Sequence, residues 1–480
     1  MDKYFSGRRA AGRAVFMLAV LWTAVAPAEE DERLSRRRTD TVKTIQRCLP
    51  AVVAIRTFAP HPQPGVFYIH NGSGTIVHPS GYILTNDHVV MNAVRGEVTL
   101  YDDQVLPYRI IAHFPHEDMA LVKVNAKQPL TAITLGHSDD LMLGEPALVI
   151  GAPGGLVRTV STGIVSGLNR STTTEHAFLP WMIQTSAATS GGSSGGPLIN
   201  ALGEQIGIIT SEKKELEAVN FAIAIDRVRL MLPQMIAAEQ RFAFRLGMEV
   251  DTLGKTAKVT ELVSDSPAAM AGVKLEDVVE SIDDISIREG FDFYFALIDR
   301  QAGQKMKLRL RRGDETCDVE LTLAELPIPP AVEDKGMING IHFEAYAGEW
   351  DALPDFASQK PVADGRGSVP DVAAHKPSDD NFAIRYTGFV KIPADGLYTF
   401  FTASDDGSQL HIGERLVVDN NGLHPSRESA GVIRLSAGLH PITVAMFEQS
   451  GDEALKVAIE GPNLNKQAIP AEMWFVRDVK

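Results

Sequence analysis

Residues Gly192-Ser193-Ser194-Gly195-Gly196-Pro197 hold a serine hydroxyl among glycines. Two segments ahead of it, Thr85-Asn86-Asp87-His88 and Asp118-Met119-Ala120-Leu121, supply an imidazole and a carboxylate. A serine hydroxyl is a poor nucleophile at neutral pH. Acyl transfer through it needs a base within hydrogen-bond reach and a third group that fixes the base's tautomer. Ser194, His88 and Asp118 could fill those roles. Glycines around Ser194 permit the sharp turn that aims backbone N–H groups, here those of Gly192 and Ser194, at a developing oxyanion. Loss of one such donor typically costs about 2.7 to 4 kcal/mol of transition-state stabilisation.

These side chains need strands to hold them. Tyr82-Ile83-Leu84 is a strand-like run that delivers His88, and Ala120-Leu121-Val122-Lys123-Val124 is another that begins just after Asp118. The order His, Asp, Ser along the chain is that of chymotrypsin-type serine proteases. The segments Gly72-Ser73-Gly74-Thr75-Ile76 through His88-Val89-Val90, Asp118 to Val124, Gly163-Ile164-Val165-Ser166, Ile183-Gln184-Thr185, Gly192 to Pro197 and Asn220-Phe221-Ala222-Ile223-Ala224-Ile225 together resemble the HtrA (Deg) family of serine proteases. The resemblance runs from about residue 40 to 323. It implies two six-stranded β-barrels with the triad in the cleft between them, and a homotrimer built through the protease domains. Four positions depart from the family pattern: Ser193 and Ser186 stand where asparagine and aspartate are usual, Ser190-Gly191-Gly192 lacks a usual proline, and Asp87 precedes the histidine. None removes a catalytic atom. The glycine-rich loop before Ser194 loses more entropy on ordering, which fits an oxyanion hole that assembles on activation. Arg170, in the stretch from Asn169 to Trp181, sits where the family carries a regulatory arginine; the same residue also reads as a solvated loop arginine.

Past the protease, Leu246-Gly247-Met248-Glu249-Val250, Ser266-Pro267-Ala268-Ala269-Met270-Ala271-Gly272-Val273, Asp277-Val278-Val279 and Gly303 to Leu310 resemble a PDZ domain. Such a domain offers an open sheet edge to an extended peptide. The amides around Leu246, Gly247 and Met248 are its candidate carboxylate loop, and Phe293 and Leu297, four apart on an expected helix, face either the groove or the core. The prolines of Leu326-Pro327-Ile328-Pro329-Pro330 make an extended linker. Residues 337–477 then read as short strands between Gly, Asp and Asn turns, an antiparallel β-sandwich. Gly396-Leu397-Tyr398-Thr399-Phe400, Ser404-Asp405-Asp406-Gly407-Ser408 and Asp419-Asn420-Asn421-Gly422 resemble a PA14 domain. Some members of that family bind glycans through calcium held by adjacent aspartates. Asp405 and Asp406 are the matching candidates here, with Asn420 or Asn421 as extra oxygen donors. Asp-Asp-Gly serves equally well as a turn.

The 480 residues exceed what one core organises, so about three domains are expected. Basic residues up to Arg13 precede an apolar run from Ala14 to Ala26 and the small-residue motif Ala26-Pro27-Ala28, the pattern of a cleaved export signal; the alternative is an uncleaved segment that anchors the chain in the inner membrane. Residues 1–28 carry Lys3, Arg8, Arg9 and Arg13 against Asp2, a net of +3, so their removal takes the charge from −15 to −18. That surface repels nucleic acid and anionic membrane. Cys48 and Cys317 read as isolated thiols of different domains, and the histidines show no zinc-ligand spacing. The expected layout is a signal at 1–28, a charged tether at 29–39, protease at 40–240, PDZ domain at 244–323, linker at 324–336 and PA14-like domain at 337–477. The reading is a mainly β exported endopeptidase, periplasmic or extracellular, acting on unfolded or misfolded polypeptides. It would recruit C-terminal peptides at the PDZ domain and a glycan or other surface partner at the PA14-like domain. The alternative is a chaperone-like or adhesin-like binding protein with little turnover.

Overall fold

The computed structural model describes residues 34–478 apart from 64, 92, 153–157, 174–177, 213–217, 425 and 452, so the expected signal at 1–28 lies outside the described residues. The described part of the charged segment, α1 (residues 34–37), is helical. It leads into α2 (Asp40–Cys48), capped by Thr39 Oγ1, which accepts from Val42 N at 3.3 Å. This helix is anchored on a second-barrel turn: Thr44 Oγ1 donates to Ala201 O, and Cys48 Sγ donates to Gly203 O at 3.4 Å. Cys48 and Cys317 are both free thiols. Among the described residues, no helix is long and apolar enough to cross a membrane.

Alternating or continuously apolar runs give the strands. β1 (Val52–Pro60), β2 (Phe67–His78), β3 (Tyr82–Thr85), β4 (Arg95–Thr99), β5 (Val105–Phe114) and β6 (Met119–Val124) close into a barrel in the order β1-β2-β3-β6-β5-β4. After the short β7 (Thr134–Leu135), the strands β8 (Pro146–Gly151), β9 (Thr159–Thr173), β10 (Phe178–Thr185), β11 (Pro197–Ile199), β12 (Glu204–Glu212) and β13 (Asn220–Ala224) form the second barrel, closed where β11 pairs with both β8 and β12. In the stretch from Asn169 to Trp181 the described residues lie in the β9–β10 ladder. Met182 pairs with Arg170, so this exposed arginine projects from strand β9.

Helix α4 (Ile225–Ile236) ends at Ala237 and short α5 (Ala238–Phe242) at Ala243, both alanines in the left-handed region with φ of 44° and 57°. Each such non-glycine residue costs about 1 kcal/mol, which packing around α5 must offset. The PDZ unit follows. β14 (Phe244–Arg245) pairs with β21 (Ala324–Glu325), so the first two residues assigned to the linker belong to the PDZ closure. Its main sheet runs β15 (Met248–Val250), β16 (Ala257–Leu262), β17 (Val278–Ile282), β19 (Lys305–Arg312), β20 (Glu315–Thr322), with β18 (Ile285–Ser286) on β17. Helix α7 (Gly290–Ala296) lies between this sheet and α4. One apolar core therefore runs from the barrels into the PDZ unit, and Phe293 and Leu297 are buried in it rather than lining an open groove. At the seam, Arg229 is fully buried. It donates to Gly136 O at 2.8 Å, Thr252 O at 3.3 Å and Glu289 Oε2 at 2.6 Å, and lies 4.5 Å from the Phe291 ring centroid.

The C-terminal unit has two antiparallel sheets packed on a shared core, and each strand-like run read from the sequence lies in one of their strands. The larger is built around β25 (Phe382–Ile392), β30 (Gly438–Glu448), β27 (Ser408–Ile412) and β28 (Arg415–Asn420), the smaller around β26 (Gly396–Asp405), β29 (Arg427–Leu435) and β31 (Ala454–Gly461). The proline-rich linker does not hold this unit apart. Val332 bridges to Leu439, and β29 lies against α5, β5 and the turn Pro115–Glu117, because backbone carbonyls of α5 are met by arginine donors of β29.

Arg229→Ala would strand Glu289 and several carbonyls at the protease–PDZ seam. We expect a loss of about 3 kcal/mol in urea unfolding, with no rescue by lysine, whose point charge cannot span these acceptors.

Candidate active site

Strand β3 ends at Thr85 and leads into the helical turn α3 (Asp87–Val90), which carries His88. β5 and β6 are joined by the turn that ends at Asp118, held at φ 47°. His88 Nδ1 lies 2.8 and 3.0 Å from the two Asp118 carboxylate oxygens, and His88 N donates to Asp118 Oδ1 at 3.2 Å. Thr210 Oγ1 donates to Asp118 Oδ2, and Asn86 Nδ2 donates to Asp118 O at 2.8 Å. The carboxylate side chain is 6% exposed and the imidazole 38%. A buried, multiply hydrogen-bonded carboxylate therefore holds one ring nitrogen while the other edge of the ring is left to the cleft. Burial is the largest influence on His88 and works downward. The hydrogen bond that the ring donates to Asp118, the charge of that carboxylate and that of Asp87 together outweigh it, and His88 stands above its ordinary value of 6.5.

Ser194 comes from the second barrel and is fixed by the first. Ser73 of β2 is fully buried; its N–H donates to Ser194 O at 2.8 Å, its Oγ donates to Gly192 O at 2.7 Å, and that Oγ accepts from Ala152 N at 2.9 Å. Gly195 has φ 83°, and a Cβ there would stand 2.1 Å from Ser73 O, so this close crossing requires glycine. Thr189 Oγ1 to Asn220 Oδ1 at 2.7 Å and Asn220 Nδ2 to Ala187 O at 2.9 Å brace the approach loop. Ser186 Oγ accepts from Ile164 N at 3.1 Å, a concrete structural use for one of the departing residues. Among the described residues, the N–H groups of Gly192 and Ser194 donate to no protein acceptor, whereas those of Ser193, Gly195 and Gly196 are used within the fold. The Ser194 hydroxyl donates to Thr210 O at 3.2 Å rather than to His88. Ser73 and Thr210 were missed as functional positions, although Gly72-Ser73-Gly74 already stood out as a motif.

The segment expected to serve as a carboxylate loop has its amides engaged within the chain. Leu246 N and Gly247 N both donate to Glu239 Oε1, at 2.9 and 2.7 Å, while Met248 is buried in β15. Gly247 has φ 75°, and a Cβ would meet Ser266 Cβ at 2.2 Å, so the two amides can converge only with glycine there.

In the C-terminal unit, Asp405, Asp406 and Glu448 bring carboxylate oxygens within 4.8 Å of one another. Asp406 accepts from His424 N and Gln449 N, each at 3.1 Å. Neither buried oxygen of Glu448 makes a well-formed hydrogen bond, and burial, then the Asp406 and Asp405 charges, push this carboxyl up to about 7 against the weaker pull of the Asp406 backbone N–H. Three hard oxygen donors, one of them without a well-formed hydrogen bond, fit a divalent cation such as calcium. The asparagines named as extras do not join them: Asn420 Oδ1 accepts from Arg427 Nε at 2.8 Å, and Asn421 Oδ1 accepts from Leu353 N at 2.8 Å. Glu448, from the end of β30, takes that place and could not be read from a two-aspartate motif.

Family models match the chain in three blocks: a trypsin-like peptidase domain over residues 72–208, a PDZ domain over 245–323 and a PA14 domain over 350–472. A Chlamydia trachomatis protein named probable periplasmic serine endoprotease DegP-like is 33% identical over 276 residues, which is 54% of this chain and 55% of that protein. Serine protease PepD of Mycobacterium tuberculosis is 34% identical over 285 residues, 53% of this chain and 61% of the relative. Serine protease HTRA1 of Xenopus tropicalis is 33% identical over 313 residues, 59% and 66%. The chain thus spans about three fifths of the length of the curated relatives it matches.

By NMR, the His88 ring should titrate above 6.5. In Asp118→Ala, where burial is unopposed by that carboxylate, it should fall below this value.

Proposed function

We propose that this chain, an HtrA/DegP-like trypsin-like serine protease with one PDZ domain and a C-terminal PA14 domain, cleaves unfolded or misfolded polypeptides outside the cytoplasm. The observation that carries the reading is that Thr210 links the two sides of the site: it accepts from the Ser194 hydroxyl at its carbonyl and donates its own hydroxyl to the Asp118 carboxylate that holds His88. In the proposed reaction His88 takes the Ser194 proton as Oγ attacks the peptide carbonyl. The oxyanion accepts from the N–H groups of Gly192 and Ser194. His88 then returns the proton to the leaving amine, and water, deprotonated by the same ring, releases the acyl group. A trypsin-like serine protease needs no cofactor for these steps. The bond from Ser194 Oγ to Thr210 O supports a resting state in which the hydroxyl must rotate toward His88 before attack. A PDZ domain implies peptide binding, here of C-terminal segments. Export rests on the signal-like residues 1–28 and on the word periplasmic in relatives' names, and a homotrimer is proposed with Arg170 as a relay.

Casein cleavage tests the reading. Ser194→Ala should lower kcat on the order of a millionfold. Because the base must be neutral and His88 stands above 6.5, kcat/KM should decline on acidification with a midpoint above that value. A rate still level at pH 5.5, or turnover unchanged in the variant, would refute it.

For the PA14 domain we propose a calcium-dependent glycan site at Asp405, Asp406 and Glu448. Calcium should raise the thermal midpoint by several degrees through binding to the native state. Glu448→Gln should abolish that rise, and an equal rise in variant and parent would exclude this ligand set.

A further inference from the structure

We propose that Glu239 is a resident ligand of the PDZ carboxylate loop, and that a peptide terminus enters only by displacing it. This rests on the reading of that loop as a peptide-terminus site. Two consecutive amides, Leu246 N and Gly247 N, point at the same Glu239 oxygen at 2.9 and 2.7 Å. Converging backbone N–H groups form an anion-binding concavity, and bonds from them to a carboxylate are of the strong, charge-assisted kind. Each N–H carries one hydrogen. A peptide carboxylate seated on these amides and the Glu239 carboxylate therefore exclude each other.

The edge where the body of a peptide would pair is engaged as well. Val250, at the end of β15, donates its N–H to the Tyr294 hydroxyl and accepts from that hydroxyl at its carbonyl, both at 3.3 Å. β15 pairs with β16 on one side, and an added strand needs backbone groups on the other. Tyr294 belongs to α7, which is tied to the protease helix α4 through Arg229 and Glu289.

The C-terminal unit grips the residues beside Glu239. Arg434 N donates to Gln240 Oε1 at 2.9 Å, Arg434 Nε to Gln240 O at 3.2 Å and an Arg434 terminal nitrogen to Arg241 O at 3.1 Å. Arg415 of β28 lies close enough to feel the Glu239 charge. Docking of the PA14 domain thus favours the arrangement in which Glu239 fills the loop, and peptide binding must work against it. By linkage, whatever loosens that docking raises peptide affinity.

The test uses the full chain with Ser194→Ala to prevent cleavage. Fluorescence anisotropy measures a fluorescein-labelled decapeptide ending in phenylalanine, as the free acid and as the C-terminal amide. Glu239→Ala should bind the free acid about tenfold tighter or more, since the open loop no longer has to be vacated, with no gain for the amide. Glu239→Gln, which keeps the side chain's shape, should gain in the same direction but less, and Arg434→Ala should also gain. Equal affinity for the free acid in all four proteins, with the amide weaker throughout, would overturn the resident-ligand proposal and leave the peptide-terminus reading standing. Failure of every protein to distinguish acid from amide would overturn that reading, and the proposal with it.

Discussion

Ser73 is the contact on which the geometry of the cleft depends. Ser194, the proposed nucleophile, belongs to one barrel and His88 with Asp118, the proposed base and its carboxylate, to the other, so the proposed reaction requires registry between two separately closed sheets. A single buried residue of β2 supplies it by donating to Ser194 O and Gly192 O and accepting from Ala152 N. Thr85 Oγ1 donates to Ser73 O at 2.7 Å, tying the same point to the strand that leads into His88. Thr210 makes the reciprocal tie, from the second barrel to the Asp118 carboxylate. These are hydroxyl and amide contacts in a dry environment, where an unmade partner is expensive, so the barrels are held in one arrangement rather than a range of them.

Electrostatics at the site follow from that packing. Asp118 is nearly sealed, yet three protein donors reach its carboxylate: the His88 backbone N–H, the His88 ring and the Thr210 hydroxyl. Glu448 is the opposite case: a sealed carboxylate beside two others, with no well-formed hydrogen bond to either of its oxygens among the described residues. In the first site the protein itself supplies the compensation; in the second a cation would have to do so, as proposed above.

Much of this was legible in the sequence because the informative residues are local. Ser194 stands in a glycine run, His88 follows a short strand, and Asp118 precedes another, so type and order along the chain suffice. What escaped was set by distant partners. Glu239 looks like an ordinary acidic residue in a short helix, and nothing nearby announces that the Leu246 and Gly247 amides will turn back onto it. Arg229 is likewise set apart only by its distant partners, Gly136, Thr252 and Glu289, which bury it. Glu448 lies on a different strand from the aspartates it joins, and the pairing of β30 with β25 and β27 brings them together. The proline-rich linker was expected to space the domains, but proline content fixes the stiffness of a connector and says nothing about the attraction between the bodies it connects.

The position of Glu239 has a bearing on how the molecule divides. It lies upstream of the first PDZ strand, between the stretches matched to the trypsin-like peptidase domain (72–208) and the PDZ domain (245–323). A PDZ fragment cut at residue 244 would leave its own competitor behind and present a vacant loop. On the proposal above, affinities obtained from such a fragment would describe an unmasked part rather than the assembled chain, and the unit that sets peptide recognition would begin inside the preceding domain and end in the following one.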